Sequence, residues 1–221
     1  MGQKVNPLSF RIGAGEGWKS RWFATGGEYK KLLFEDVKLR RALEKRLELA
    51  GLHDIEIERL PKSITVKLLV SRPGVVIGRG GSGIEDLKNF ILEKLGYTRF
   101  EKNALRVEVE VEEIKNPELS ARLVLNRVVA ELERRFPHRR VVAKTMDRVM
   151  ASGAKGIKIA LSGRIGGAEI SRAEQYHRGS VPLQSLRADI DYASGPVLLK
   201  RGYVGIKVWV NIGERGKDAG A

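Results

Sequence analysis

The chain reads as an α+β protein built from two domains. Three short segments alternate apolar and polar residues, which describes strands with one buried and one wet face. Segments of helical period lie before, between and after them, and Asn116-Pro117 marks a boundary near mid-chain. At 221 residues the sequence is long enough for each of two domains to bury a core.

Residues 1–27 mix glycine, Trp18, Trp22 and Phe23 with Lys4, Arg11, Lys19 and Arg21 and show no periodicity, which predicts an extended arm ordered by a partner surface. Rings interleaved with cations suit RNA, because rings stack on bases while Lys and Arg meet phosphates; tryptophans packing onto their own domain are the plainer alternative. From Tyr29 to Ala50 the pattern is helical, with Leu32, Leu33, Val37, Leu43 and Leu47 toward one side and Gly51 as a stop. The alternating strands are 55–58, 64–70 and 105–111. Between the last two lie a glycine loop, Gly78 to Gly83, and a helix from Gly83 to Leu95 with Ile84, Leu87, Phe90, Ile91 and Leu95 on one face.

The loop fits two nucleotide-handling motifs. As G-x-x-G (Gly78 to Gly81) after Val75-Val76-Ile77 it is the backbone-gripping loop of a KH RNA-binding module. As G-x-G-x-x-G (Gly78, Gly80, Gly83) it is a dinucleotide fingerprint. The surroundings favour the first. A Rossmann sheet is covered on both faces and its strands are continuous apolar runs, whereas 105–111 alternates with charges. Arg72-Pro73-Gly74 also separates strand from loop, so Val75-Val76-Ile77 is expected in a short helix. A nicotinamide-dependent oxidoreductase is therefore the distant alternative.

Beyond the boundary, Asn116 as N-cap and Pro117 as first helical residue predict a helix to Phe136 with Leu119, Leu123, Val124, Val128 and Leu132 inward. Pro137 interrupts it, and a second helix runs from Arg139 to Ala151. Its Val142, Met146, Val149 and Met150 fall on one side, while Arg140, Lys144 and Arg148 line the opposite ridge at i, i+4 spacing, a cationic stripe able to track a phosphate backbone. Strands are expected at 156–161, 187–192 and 204–212, and residues 214–221 are expected to be a disordered tail. The stretch 162–168 lacks the G-K-[S/T] ending of a triphosphate loop, so it reads as a turn offering Arg164 to RNA.

Composition narrows the function. There are 41 Lys and Arg against 27 Asp and Glu, for a net charge of +14, and such an excess points to a polyanionic partner, nucleic acid ahead of an anionic membrane. Residues 1–50 carry +5, residues 51–115 are neutral and residues 116–221 carry +9, so the charge flanks the glycine loop. The absence of cysteine excludes disulfides, thiolate metal sites and cysteine nucleophiles, and His53, His138 and His177 are too scattered to form a metal-binding helix. No catalytic constellation, metal site or cofactor is expected. No apolar run approaches the roughly 20 residues of a membrane span, so the expectation is a cytoplasmic protein without a membrane partner.

Several blocks then become recognisable in order: Met1-Gly2-Gln3-Lys4-Val5-Asn6-Pro7 with Arg21-Trp22-Phe23, 72–78, 153–158, 162–170, 186–192 and 205–209. Together they resemble the bacterial small-subunit ribosomal protein three family across residues 1–213. The resemblance implies a basic arm (1–27), an N-terminal KH type II domain with a three-stranded sheet and helices (28–115), and a C-terminal α+β domain with two helices on a four-stranded sheet (116–213). It implies a non-enzymatic structural protein of the small-subunit head. Its partners would be small-subunit ribosomal RNA, messenger RNA and neighbouring small-subunit proteins, with no homo-oligomer. It also implies a lining role in the messenger entry tunnel, where basic residues passively help separate paired messenger.

The positions matching that site are Arg139 and Arg140, with Lys144 and Arg148 along the same helix. Family members often carry a further basic residue where this chain has Ala143. The KH loop contacts would be Arg72, Gly78, Arg79, Gly80 and Gly81, with Arg79 and Gly80 standing where two lysines are frequent. Losing one phosphate contact there lowers the salt dependence of binding by roughly one unit of slope or less. Further RNA contacts are expected from Lys155, Arg164, Arg172 and Arg178 in the C-terminal domain and from Gly2, Gln3, Lys4, Arg11, Arg21 and Trp22 in the arm. A free RNA regulator using the same KH loop is the alternative within the binding class.

Overall fold

The computed structural model describes residues 4–12, 18–96 and 106–214. Two compact units result. Residues 18–115 form one, and the other joins the chain from Asn116 onward to the N-terminal residues before Trp18. Residues 215–221 of the sequence-expected tail, most of the glycines of the arm, and Leu105 at the start of the third strand lie outside the described residues, while Glu214, expected in the tail, ends the last strand.

In the first unit, β1 (Ser20–Arg21) pairs parallel with β2 (Leu52–Leu60), which turns back antiparallel into β3 (Ser63–Val70). β4 (Arg106–Glu113) lies parallel to β3, completing the order β1-β2-β3-β4. The three expected strands are thus joined by a two-residue edge strand from the arm. Strict alternation in β3 sends Ile64, Val66, Leu68 and Val70 to the core and Thr65 and Lys67 to the wet face, where Lys67 meets Glu110 at 3.6 Å. The single covered face is what the alternation predicts, and it is why this sheet tolerates charges that a doubly covered parallel sheet excludes.

The core opposite is closed by α2 (Gly27–Arg46) and α4 (Ser82–Lys94), through Leu39, Leu43, Leu87 and Ile91; α1 (Pro7–Phe10) belongs to the other unit, and α3 (Pro73–Ile77) leads into the glycine loop. Here one expectation needs correcting. Leu33 and Val37 are exposed, and the residues α2 turns inward are Asp36, Leu39 and Leu43. Asp36 accepts hydrogen bonds from Trp22 Nε1 (2.8 Å), Ser20 Oγ (3.2 Å) and Arg59 Nε (2.8 Å). A buried carboxylate needs donors and a cation, and the helix face that can reach Arg59 is the one that packs.

In the second unit, Pro117–Leu119 form a 3₁₀ turn, and α5 (Ala121–Glu133) starts only after Ser120, whose Oγ accepts from the Leu123 amide at 3.3 Å. Ser120, and not the expected Asn116, therefore caps the helix; Asn116 precedes the turn and offers only its backbone carbonyl, to the Leu119 amide at 3.1 Å. α6 (His138–Ala151) follows after Pro137. The sheet order is β6-β5-β8-β7, all antiparallel, with β5 (Gly156–Gly163), β6 (Arg172–Gly179), β7 (Ala188–Leu199) and β8 (Gly202–Glu214). β6 is the strand that no apolar alternation announces: it is an edge strand with only Glu174 and Tyr176 half-buried. The two helices cover one face, burying Val124, Val128, Val142 and Val149 against Ile157, Ile159, Val208 and Val210. On the other face a small cluster of Ala188, Ile190 and Trp209 is covered in part by Val181 and Leu183.

The arm is not uniformly extended. Asn6 Oδ1 accepts from the Leu8 amide at 2.9 Å and starts α1, which packs on β7. Arg11 then enters the fold completely and donates to the carbonyls of Ala188 (2.9 Å), Pro7 (3.0 Å), Leu183 (3.0 Å) and Ser185 (2.8 Å).

Candidate nucleic-acid interface

The glycine loop is a turn between two helices. Arg72 precedes α3, Pro73 supplies its first residue, and Val76 anchors it in the core. Gly78, Gly80 and Gly81 have φ of +69°, +63° and +84°, a region side chains rarely adopt. Gly83 has an ordinary φ but no room: a Cβ there would lie 2.4 Å from the Val76 carbonyl oxygen. Gly78, Arg79 and Gly80 are exposed, Gly81 is half-buried, and Arg72, at the other end of α3, is exposed. The backbone of this loop can approach a phosphodiester closely, with Arg79 as the cation within the turn. Because the loop follows a helix and not a strand, the dinucleotide geometry of strand, turn and helix is not formed.

In the other unit α6 carries the cationic ridge. Arg139, Arg140, Lys144 and Arg148 are all exposed, while Val141, Val142, Thr145, Met146 and Val149 are buried; Val141 and Thr145 extend the expected inner face and Met150 is half-buried. Lys144 Nζ lies 3.5 Å from Glu131 Oε1 on α5, a tether long enough to leave the ammonium half-exposed. Ala143 sits exposed between the arginines and Lys144.

β6 runs beside this helix. Arg178 pairs with Asp147 of α6, and Arg172 Nε reaches Glu174 Oε1 at 2.7 Å, so both expected RNA contacts are engaged in surface ion pairs while remaining about half-exposed. Arg164 is exposed and donates from Nε to the Glu169 carbonyl at 3.0 Å, with Ile165 buried beneath it. Lys155 is exposed at the start of β5.

The arm residues divide. Lys4 is exposed, and Gly2 and Gln3 lie outside the described residues. Arg21 is exposed on β1 and pairs with Glu58 at 3.0 Å. Trp22 is committed to Asp36 and to Tyr29, with ring centroids 5.2 Å apart. Arg11, expected among the RNA contacts, is buried with its guanidinium turned to internal carbonyls, so it serves the fold.

One cluster escaped sequence reasoning. His138 Nε2 lies 3.1 Å from Glu174 Oε2, and the Tyr176 hydroxyl donates to the same carboxylate at 2.5 Å. The signal was present in the alternation of Arg172, Glu174, Tyr176 and Arg178, a period of two written in polar residues. The Tyr176 hydrogen bond, helped by Arg172 and His138, holds the Glu174 carboxyl below the usual carboxylate range against the opposing effect of burial. Burial and the neighbouring carboxylate push the Tyr176 phenol up, against the pull of Arg139, so it stays a neutral donor at neutral pH. A depressed folded value means this carboxylate contributes stability above the ordinary Glu range, near pH 4.3, and loses it as the pH falls through the folded value. Acid titration of Glu174→Gln against the parent is expected to show a stability gap at neutral pH that closes below about pH 4.

Among the described residues no group of three or more His, Asp or Glu could hold a metal ion, and no helix is long and apolar enough to cross a membrane.

Comparison with known proteins bears on both units. Residues 38–119 match the KH domain model, and residues 128–210 match the model of ribosomal protein S3, C-terminal domain. Small ribosomal subunit protein uS3 of Persephonella marina is 46% identical over 215 residues, covering 97% of this chain and 92% of its own length. The uS3 of Clostridium beijerinckii is 45% identical over 214 residues (97% and 94%), and that of Sulfurihydrogenibium sp. is 44% identical over 215 residues (97% and 92%).

Proposed function

The chain belongs to the family of small ribosomal subunit protein uS3, and from that premise we propose that it uses α6 to line the messenger entry path of the ribosome. As a family member it is a non-enzymatic, RNA-binding structural component of the small subunit in the bacterial cytoplasm. Ribosomal RNA and neighbouring ribosomal proteins are its partners, and it joins them as a single copy.

The observation that carries the entry reading is the exposed ridge of Arg140, Lys144 and Arg148 with Arg139 beside it, four cations between positions 139 and 148 of one helix and only Asp147 of opposite sign within them. A ridge of this kind meets successive phosphates without reading bases, which suits a site that must pass any message. Held strands are kept from re-pairing while translocation supplies the work, so strand separation is passive. The KH loop and the exposed cations of the arm and second unit would hold ribosomal RNA mainly through phosphate contacts, so binding falls steeply with salt.

Replacing Arg139, Arg140 and Lys144 together with Ala tests the reading. Incorporation into small subunits is expected to be unchanged, and translation through a stable messenger hairpin to slow by about an order of magnitude or less, with an unstructured message read at the parent rate. Equal rates on both messages, in variant and parent alike, would refute it.

A further inference from the structure

The cluster at the start of α6 has a geometry that the entry reading leaves unexplained. Alternate residues of a strand share a face, so β6 presents Glu174 and Tyr176 together, with Arg172 and Arg178 flanking them. Glu174 gathers three donors from two directions: the Tyr176 hydroxyl at 2.5 Å and Arg172 Nε at 2.7 Å on its own strand, and His138 Nε2 at 3.1 Å on the helix. His138 is the first residue of α6.

The helix start needs such a hold. Pro137 precedes it and provides no side-chain cap, although the first amides of any helix lack intrahelical partners. A carboxylate beside that end is also favoured by the helix dipole. The residue after His138 is Arg139, on the same first turn. The first turn of α6 is therefore held to β6 through the Glu174 carboxylate, at the point where the entry cations begin.

We propose that Glu174 is a positioning residue for the entry helix: held in place by Tyr176 and Arg172, it fixes the first turn of α6 through His138, and with that turn the start of the cationic ridge. Arg139 and Arg140 then ride on a turn already in its binding position, and a segment ordered beforehand loses less freedom when it meets phosphate than a free one does. This inference rests on the entry reading, and it adds that the grip depends on two residues, Glu174 and Tyr176, that touch no RNA.

Full-length Glu174→Gln and Tyr176→Phe variants, built into small subunits, test it on messages with and without a stable hairpin. Both are expected to pass the hairpin about threefold more slowly and to read the unstructured message at the parent rate. Adding either change to His138→Ala is expected to slow passage no further, because effects transmitted through one side chain do not add. Slowing on both messages alike would mark a general structural role and overturn the proposal, as would full additivity with His138→Ala. Should Glu174→Gln fail to incorporate, Tyr176→Phe removes only the hydroxyl and decides the matter by the same criteria. Parent-like hairpin passage by both variants, alongside slowed passage by the Arg139, Arg140 and Lys144 triple variant, overturns the positioning role and leaves the entry reading standing. Parent-like passage by the triple variant removes both.

Discussion

Arg11→Met is expected to lower the stability of the unit containing the C-terminal sheet by roughly 3–5 kcal/mol, the range for removing one partner of a fully buried charged network. Methionine fills much of the arginine stem's volume, so the loss reports the guanidinium and not a cavity. That group donates to the carbonyls of Pro7, Leu183, Ser185 and Ala188, and to Pro182 at 3.3 Å. Pro182, Leu183 and Ser185 offer their carbonyls from the loop before β7, Ala188 from the first residue of β7 and Pro7 from α1. The contacts to Pro7 and Ala188 are buried and those to the loop are partly so, and Pro182 also receives the Ser185 amide, at 3.3 Å; each carbonyl left without a donor costs on the order of 1–3 kcal/mol. Thermal unfolding of the full chain is the measurement, and a fall on the order of 10 °C in the transition of that unit is expected. Arg11→Lys should recover only part of it, since one ammonium cannot span carbonyls on both sides of the loop. A transition at the parent temperature in the Met variant would show that water serves those carbonyls equally well.

Gly83→Ala is the second large effect, and it acts on the KH loop. The added methyl would lie 2.4 Å from the Val76 carbonyl oxygen and 2.9 Å from that of Ile77, both backbone atoms of α3 that cannot swing aside. Relief requires α3 and α4 to separate, which pulls Val76 from the core and opens the turn from Gly78 to Gly81. Roughly 2–4 kcal/mol of stability should be lost from the KH unit, within the range for overpacking and backbone displacement. Affinity for a ribosomal RNA fragment should fall with it. Gly74→Ala is the matched control: its Cβ meets nothing within 4 Å, and the position is helical, so stability should hold or rise by up to about 1 kcal/mol. Urea unfolding and filter binding on the two variants make the comparison. Similar behaviour of both would mean that the α3–α4 contact yields more easily than its geometry implies.

The glycine loop was legible because its causes are local. A proline after Arg72 opens α3, and three glycines supply the positive φ values the turn needs. The strands β2, β3 and β4 and the buried side of α6 were legible for the same reason, since periods of 2 and 3.6 describe which residues a backbone turns to one side. α2 marks the limit. Its apolar residues form more than one stripe, and periodicity favours Leu33 and Val37, which are exposed, over Leu39, which is buried. The choice was made by Asp36, whose partner Arg59 is 23 residues away. The α5 cap moved from Asn116 to Ser120 because the chain takes a 3₁₀ turn before the helix begins, a decision also shaped by Asp191 accepting from the Ala121 amide at 2.7 Å.

By itself the sequence determined the two-domain α+β architecture, the glycine loop between helices and the cationic ridge of α6, each written in residues close along the chain. Tertiary structure decided the rest: that Arg11 belongs to the core, that β6 completes the sheet as its edge, and that His138, Glu174, Tyr176 and Arg172 meet. Those outcomes join residues far apart, 177 positions between Arg11 and Ala188 and 36 between His138 and Glu174. A polar side chain's partner is chosen by desolvation and hydrogen-bond geometry in three dimensions, and neither leaves a periodic trace in the order of the residues.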